Sequence, residues 1–249
     1  MMPVTRQNCG FTLIELMCSM AIGAIILLAA ASVLGSSGDS YARISGGMTV
    51  EREARAAVAQ LTTDLSSAVF HKEGIFKKST GNWSFDHIGF LSLQPSDAQT
   101  DANYIGDLCA VNYYLKDITI NGKAVRCLMR GFRESRQTFE ALSGDATSSL
   151  FTNRSAIDEP VAFNVVSFES RPKTRDVSGR WSDWIPDDET GPSALDMRLI
   201  IARGNLAERL TQSEDWDSMR WLGSPSDASC NKDLEIYGAM IRFGHNEIP

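Results

Sequence analysis

Glu15 is the residue whose type and position point most directly to chemistry. It is the only charged residue between Phe11 and Leu34, in a segment that is otherwise almost entirely apolar. About 20 apolar residues are enough to cross a membrane as a helix. A carboxylate in such a segment must be paired or neutralised, and it is a functional candidate by default. The sequence therefore predicts an electrostatic role for Glu15 at the head of a membrane span.

The junction before this span carries a recognisable motif. Gly10 is followed by Phe11-Thr12-Leu13-Ile14-Glu15-Leu16, so a glycine, an aromatic residue, a glutamate and an apolar run fall in register. This GFTLIEL motif resembles the class III signal of type IV prepilins and type II secretion pseudopilins. The resemblance implies a prepilin peptidase that cuts after Gly10 and methylates the new N-terminal Phe11. It also implies that Glu15 sets the register between neighbouring subunits of a filament.

Two other kinds of N-terminal signal fit less well. A secretory signal would be cut near the three alanines at residues 29–31, which would leave Glu15 unexplained inside the hydrophobic region. A lipoprotein cut before Cys18 would need small residues ahead of it, where Leu16 and Met17 stand.

Cleavage after Gly10 would create an ammonium group on Phe11 close to Glu15. Four residues of helix separate the two by about 6 Å along the axis. The carboxylate could pair with its own N-terminus or with the N-terminus of a neighbouring subunit displaced along a filament. The simpler alternative is that Glu15 is favoured only by the helix macrodipole.

Composition and charge fit an exported, anchored domain. The formal net charge of −7 and the pI near 5.0 argue against nucleic-acid binding. The leader carries Arg6, and the residues after the span carry Asp39 and then Arg43. The positive-inside bias favours a cytoplasmic leader. The body would then lie on the opposite side of the membrane from the leader. The prepilin resemblance implies more: a single-pass inner-membrane protein with a periplasmic C-terminal domain, assembled into a pseudopilus.

The long N-terminal helix is expected to run from about Phe11 to Phe70. Residues 1–10 form the cleaved leader, residues 11–34 the membrane or filament-core half, and residues 35–70 the amphipathic half. The poor helix formers of residues 35–40 could end the helix or act as a joint within it. Apolar residues recur at helical spacing along the second half: Val50, Ala54, Ala57, Val58, Leu61, Leu65, Ala68 and Val69. The charged residues off this stripe are predicted to be solvated: Glu51, Arg52, Glu53, Arg55 and Asp64.

Residues 71–249 are predicted to form a largely antiparallel β domain, which makes the chain a pilin-like α+β protein. The candidate strands are short apolar or alternating runs: Ile88–Leu93, Leu108–Leu115, Val125–Gly131, Val161–Ser170, Asp196–Ala202 and Ile236–Phe243. Asn121-Gly122 predicts a tight turn. Leu206–Met219 could be helical with Asn205 as its cap, and Asp183–Asp196 is predicted to be a loop.

The order of these segments is similar to that of the minor pseudopilin J family of type II secretion systems. The segments that carry the likeness include Ile88-Gly89-Phe90-Leu91, Val111-Asn112-Tyr113-Tyr114-Leu115, Val165-Val166-Ser167-Phe168-Glu169 and Trp181-Ser182-Asp183-Trp184. Three regions exceed a typical J protein: Asp97–Ile105, Glu134–Ile157 and the tail beyond Asn205. The likeness implies a non-enzymatic subunit that acts in tip assembly, initiation and protein export. Its partners would be the prepilin peptidase, other minor and major pseudopilins, and the inner-membrane assembly platform.

No catalytic residue, metal site or cofactor is predicted. The three histidines, His71, His87 and His245, have no metal-binding spacing, and no nucleophile elbow, phosphate loop or HExxH motif occurs. The acidic stretch around Asp183 and residues 187–189 could gather around calcium, although acidic loops are usually only solvated. Trp181 and Trp184 could stack a sugar or could cap the edge of a core.

The cysteines suggest one disulfide in an oxidising compartment. Cys9 leaves with the leader and Cys18 lies in the span. Cys109 and Cys127 lie on the predicted strands that flank the Asn121-Gly122 turn, and Cys230 would stay free. A two-residue hairpin would misplace the pair, so the pairing requires a longer loop from about Lys116.

Two functional classes are consistent with these patterns. One is a structural filament subunit, and the other is a membrane-anchored binding or adhesin minor pilin that uses the prepilin leader. An exposed concave site would favour the binding protein, and a flat apolar face suited to sister subunits would favour the structural subunit.

Overall fold

The computed structural model describes the backbone of residues 13–69, 87–101, 103–144, 146–151, 156–185, 191–219 and 233–243, and the side chains of these residues other than 36–50, 147–148 and 205. The chain divides into two compact units, Met1–Ser45 and Gly46–Pro249. Within the described residues the first unit consists of the beginning of a helix. The second unit holds the remainder of that helix and all of the strands.

The helix α1 spans Leu13–Ser66. It is assigned as helix through residues 35–40, so the glycines and serines there do not end it. The predicted limits, Phe11 and Phe70, both lie outside the described residues. The chain leaves α1 before Phe70, because Ala68–Val69 already forms the short strand β1.

The first sheet has five antiparallel strands in the order β1-β2-β3-β4-β5. They are β1, β2 (Ile88–Leu93), β3 (Leu108–Ile120), β4 (Lys123–Arg133) and β5 (Glu159–Phe163). A two-residue turn joins β3 to β4, since Ile120 pairs with Lys123. Asn121 and Gly122 have φ angles of 51° and 79°, the left-handed conformation that this turn needs. The predicted turn is confirmed.

The second sheet has four antiparallel strands in the order β7-β6-β8-β9. They are β6 (Val165–Arg175), β7 (Trp181–Asp183), β8 (Ala194–Ala202) and β9 (Leu234–Arg242). Together with α1, the two sheets confirm the predicted α+β, largely antiparallel architecture.

Three sequence predictions about elements are wrong. Val161–Ser170 is not one strand, because the chain turns at Asn164 (φ 59°) and passes from β5 in one sheet to β6 in the other. Leu206–Met219 is not one helix: it contains the end of α4 (Gly204–Ala207) and all of α5 (Ser213–Ser218), and Asn205 lies inside α4. The predicted loop Asp183–Asp196 includes the last residue of β7 and the first three of β8.

Two further helices lie in the insertion after β4. The helix α2 spans Ser135–Ser143 and α3 spans Thr147–Leu150. Apolar residues from this insertion, including Ala141 and Phe151, pack with Leu91 and Ala110 of the first sheet. The insertion therefore covers one face of that sheet.

The main core of the second unit lies where α1 meets both sheets. Ala54, Ala57, Leu61 and Leu65 are buried at 2% exposure or less and pack with apolar residues of β2, β3, β4, β6 and β8. Ala68 is also buried and Val58 is partly buried against this core, as the predicted apolar stripe requires. The amphipathic half of α1 is thus held by the hydrophobic effect on its apolar side.

Asp64 belongs to this contact, although the sequence predicts it to be solvated. It is fully buried. Its carboxylate accepts a hydrogen bond from Tyr113 (2.6 Å) and two from Arg130 (2.7 and 3.0 Å). Gln94 donates a further one at 3.3 Å. The prediction for Asp64 is therefore wrong, because side chains of the first sheet reach the helix and replace water.

The charges in this network stabilise each other. Burial is the largest single influence on the pKa of Arg130 and lowers it, but the hydrogen bonds and charge of Asp64, together with Tyr113, outweigh burial and raise this pKa. Burial and the neighbouring Asp64 carboxylate raise the pKa of Tyr113 well above its ordinary range, so the phenol stays protonated and donates to Asp64. Ser92 adds a bond from its hydroxyl to the Asp64 carbonyl at 2.8 Å.

We expect Asp64→Asn to destabilise the second unit strongly. The substitution removes the buried negative charge and leaves Arg130 without its counter-ion, a change that typically costs about 3–5 kcal/mol. The measurement is urea unfolding of the detergent-extracted full chain, followed by near-ultraviolet circular dichroism. Glu51→Gln is the matched control, since Glu51 pairs with the exposed Arg55 and such a pair contributes ~0.5 kcal/mol or less. Equal stability losses in the two variants would contradict a special role for the Asp64 network.

Candidate functional site

The candidate site of the first unit is the apolar beginning of α1. One segment of the described residues, Leu13–Gly35, is long and apolar enough to cross a membrane. At 1.5 Å per residue it is about 35 Å long, against about 30 Å for the hydrocarbon core of a bilayer. None of its most apolar stretch is buried against the rest of the chain.

Apolar side chains project from this segment in every direction. Leu13, Ile14, Leu16 and Met17 are consecutive or nearly so, and each is between 56% and 76% exposed. A helix that is apolar all round belongs in a lipid bilayer or inside a bundle of other helices. The segment is therefore suited to a lipid bilayer or to a bundle of apolar helices.

The hydroxyl groups in the segment are satisfied within the helix. Ser19 donates to the Leu16 carbonyl at 2.9 Å, and Ser32 donates to the Ala29 carbonyl at 3.1 Å. Such back-bonding removes the cost of placing a hydroxyl in hydrocarbon.

Glu15 lies in the first turn of α1. The first turn has backbone N–H groups without helical acceptors, so a carboxylate there is favoured by the macrodipole. Gly10 and Phe11, the predicted cleavage junction and methylation site, lie outside the described residues. Their proposed relation to Glu15 stays a prediction.

Cys109 and Cys127 are not brought together. Both are free and fully buried. In the register of the first sheet Cys109 lies opposite Ser92 and Cys127 lies opposite Lys116. Seven positions along β3 therefore separate the two levels, about 23 Å, whereas a disulfide needs α-carbons within about 7 Å.

The predicted Cys109–Cys127 pairing is wrong, because the hairpin turn before Cys127 sets a register that keeps the two residues apart. A loop from about Lys116 would have been needed, but β3 continues to Ile120 and the hairpin closes in two residues. Burial raises the pKa of each thiol to about 12, so neither is a reactive thiolate at neutral pH. Cys230 lies outside the described residues.

The other sequence candidates do not converge on a reactive centre. No group of three or more histidine, cysteine or acidic residues that could hold a metal occurs in the described part of the chain. Asp183 of the acidic stretch pairs with Lys173 at 2.6 Å, and residues 187–189 lie outside the described part. His87 lies edge-on to the ring of Tyr114, while His71 and His245 are also outside.

Trp181 and Trp184 do not form a common platform. Trp184 is buried in the main core at 7% exposure, and Trp181 is partly exposed on β7. Residues three apart in extended chain point to opposite faces, because side chains alternate along a strand. Trp184 therefore fits the core-edge alternative, and Trp181 has other neighbours.

The sequence patterns missed the polar contacts that connect separate elements. Arg126 is buried and pairs with Asp117 of β3 at 2.7 Å and with Asp217 of α5 at 2.9 Å. Arg133 pairs with Asp158 at 2.8 Å. Asp117 lies directly opposite Arg126 across the Asn121-Gly122 hairpin, so the predicted turn could have indicated that pair. Asp217 lies 91 residues from Arg126 and Asp158 lies 25 residues from Arg133, and no local spacing indicates those two contacts.

Comparison with known proteins identifies the N-terminal segment. Residues 5–31 match the prokaryotic N-terminal methylation motif. No curated protein and no solved structure matches the chain. The motif supports a type IV prepilin-like chain, a pilin-like or pseudopilin subunit that is processed by a prepilin peptidase and assembles with other pilins. The apolar helix fits the single-pass membrane anchor typical of prepilins.

Cys109 and Cys127 should resist alkylation in the folded protein. Their burial and raised pKa values keep them as inaccessible thiols, and urea should make both reactive. The measurement is peptide mapping after iodoacetamide treatment at mildly alkaline pH without reductant. Ala59→Cys supplies the control, since Ala59 is exposed on α1 and its new thiol should be labelled rapidly. A peptide that links Cys109 to Cys127 would refute the register described above.

Proposed function

We propose that the chain is a minor, J-like pseudopilin of a type II secretion pseudopilus or a related type IV pilus-like filament. In this proposal it is a structural, non-enzymatic subunit that acts in tip assembly, initiation and protein export. Residues 1–10 are the leader, residues 11–34 the membrane and filament-core segment, residues 35–70 the second half of the helix, and residues 71–249 the periplasmic domain.

The observation that carries the proposal is one carboxylate at the head of an exposed apolar helix. The macrodipole favours a carboxylate in the first turn by about 0.3–1 kcal/mol, whereas a charge at the centre of a membrane span costs about 2.5–3.5 kcal/mol on insertion scales. A positive charge close to the Glu15 carboxylate would offset the cost of placing it in the span. Cleavage after Gly10 supplies such a charge as the Phe11 ammonium.

Pairing between subunits would use the Glu15 carboxylate to set the axial position of each subunit in the filament. Within one chain, Phe11 and Glu15 would lie about 6 Å apart along the helix axis. A neighbour displaced along the filament could bring its Phe11 closer to this carboxylate than its own does. Only one axial displacement satisfies both charges, so the pair would set the register.

The helix surface supports a second step, the exchange of lipid for neighbouring helices. Side chains such as Ile22, Ile25 and Leu28 are exposed at 59–71%. In the membrane they would contact acyl chains, and in a filament they would contact the same segments of other subunits. The same surface serves both states, because neither contact requires a polar group.

The order of the elements supports the J-like assignment within this family. A long helix precedes the antiparallel strands, as in the J resemblance of the sequence segments. The insertion that forms α2 and α3 and the tail that forms α4, α5 and β9 lie in regions that exceed a typical J protein. In this proposal the additions would make the chain a divergent J-like protein.

Processing should occur at one peptide bond. We expect the mature protein to lack residues 1–10 and to carry one added methyl group on Phe11. Intact-mass spectrometry of the membrane-extracted chain measures both. Gly10→Leu should block the cut, because a side chain would obstruct the peptidase, and Asn8→Leu should be cut normally. A mature protein that begins after Ala31 would contradict the proposal.

Glu15→Ala should impair assembly while membrane insertion and cleavage persist. The substitution makes the span more apolar but removes the partner of the neighbouring Phe11 ammonium, a contact of about a few kcal/mol in a low-dielectric setting. The measurement is crosslinking to sister subunits in membranes, with secretion or piliation scored in parallel.

Two variants sharpen the Glu15 experiment. Glu15→Asp keeps the charge and should retain part of the assembly. Ser19→Ala removes a polar group one turn later, whose hydroxyl bonds only within its own helix in the described structure, and should assemble normally. Wild-type crosslinking and function in Glu15→Ala would mean that the helix serves only as an anchor.

A further inference from the structure

The outer face of the second sheet carries a group of long cationic side chains around one tryptophan. Arg175 of β6 lies directly opposite Trp181 of β7. Two residues along, Lys173 lies opposite Ala194 of β8, which in turn lies opposite Arg242 of β9. Because side chains alternate across a sheet, all five lie on one face. The intervening residues, such as Leu195 and Ile241, point into the main core.

Two guanidinium groups meet the same indole ring. The guanidinium carbons of Arg175 and Arg242 each lie 5.8 Å from the ring centroid of Trp181. At this distance a cation is attracted to the ring. Strands β7 and β9 are the two edges of the sheet, so Trp181 and Arg242 reach towards each other across β6 and β8. The small, fully buried Ala194 lies between them in the register.

This group, Arg175, Trp181 and Arg242, is here called the Trp181 patch. Both arginines are exposed, and Trp181 is partly exposed. Within the part of the chain that the structure describes, neither arginine forms an ion pair with a carboxylate. The Arg175 Nε donates to the Gly179 carbonyl at 3.2 Å.

Among the described residues, the acidic groups nearest in sequence to Arg175 and Trp181 have other partners. Asp183 binds the Lys173 ammonium at 2.6 Å. Asp176 accepts hydrogen bonds from the Ser178 hydroxyl at 2.6 Å and from the Arg180 backbone N–H at 2.8 Å, and these bonds lower the pKa of its carboxyl. The patch is therefore cationic on a chain whose net charge is −7.

We propose that the Trp181 patch binds a carboxylate-rich segment of another protein. Each guanidinium offers a planar fork of N–H donors that matches a carboxylate with two bonds. Contact with the indole orders the two forks before binding and so reduces the entropy lost on association. Tryptophan and arginine are also the residue types most enriched at the energetic centres of protein interfaces.

Charge decides between this partner and the alternatives. A nucleic acid would require a larger basic surface than two arginines on an acidic chain. A sugar would stack on the face of the Trp181 ring, and the guanidiniums of Arg175 and Arg242 already occupy part of that surface. Carboxylates would bind Arg175 and Arg242, which form no ion pair with any of the described carboxylates. This inference is independent of the leader and of Glu15, so it can fail or succeed apart from the proposed function.

The test measures binding of a fluorescent oligoglutamate peptide to the detergent-extracted full chain by anisotropy. An oligoglutamine peptide of equal length is the uncharged reference. We expect wild type to bind oligoglutamate, with affinity that falls as salt rises, and the double variant Arg175→Ala/Arg242→Ala to bind about tenfold or more weakly. Arg175→Lys/Arg242→Lys keeps the charge but loses the fork, and should lie between the two.

The matched control removes the same charge elsewhere. Arg52→Ala/Lys123→Ala changes two exposed cations, on α1 and at the start of β4, and should leave the dissociation constant within about twofold of wild type. Thermal unfolding of each variant verifies that the fold is kept, as expected for exposed positions.

Several results would overturn the proposal. These are failure of wild type to bind oligoglutamate, equal losses in the patch and control variants, or tighter binding of single-stranded DNA or of a uronic-acid oligosaccharide than of oligoglutamate. A separate sedimentation experiment measures whether the chain associates with itself in the absence of peptide. Self-association that the patch variant abolishes would assign the surface to a second copy of this chain instead.

Discussion

The exposed apolar surface at the beginning of α1 is the constraint on which the rest of the structure depends. Burying one leucine or isoleucine side chain is worth about 1.5–3 kcal/mol, and the span exposes many of them. Water is therefore an unfavourable environment for this segment, and lipid or other helices must cover it. The remainder of the chain keeps a folded domain attached to a helix that is stable only in such surroundings.

The second half of α1, by contrast, packs on its own domain. Apolar packing supplies most of the attachment, through residues such as Leu61 and Leu65. The Asp64–Arg130 pair fixes the orientation of the helix. Rotation or sliding of α1 would break several hydrogen bonds to a buried carboxylate. The attachment is thereby specific as well as strong.

The elements that follow local rules were predictable from sequence, and those that depend on distant contacts were not. A short apolar run indicated the bounds of β2, and Asn121-Gly122 indicated the hairpin, because each pattern acts over a few residues. Val161–Ser170 looks continuous, yet a left-handed Asn164 sends its two halves into different sheets. At the candidate site, the apolar span and its single carboxylate were visible in the sequence. Asp64 and the Trp181 patch were not, since Asp64 is bound by Tyr113 and Arg130 and Trp181 is contacted by Arg242, all of them distant in sequence.

We propose that the domain formed by the two sheets is carried on a filament by the apolar helix. Immunogold electron microscopy with an antibody against the β domain tests this most directly, in cells that produce the chain with its sister subunits. The account predicts gold particles on filaments or at their ends, and their loss when the prepilin peptidase is deleted. Labelling confined to the membrane, unchanged by deletion of the peptidase, would contradict it.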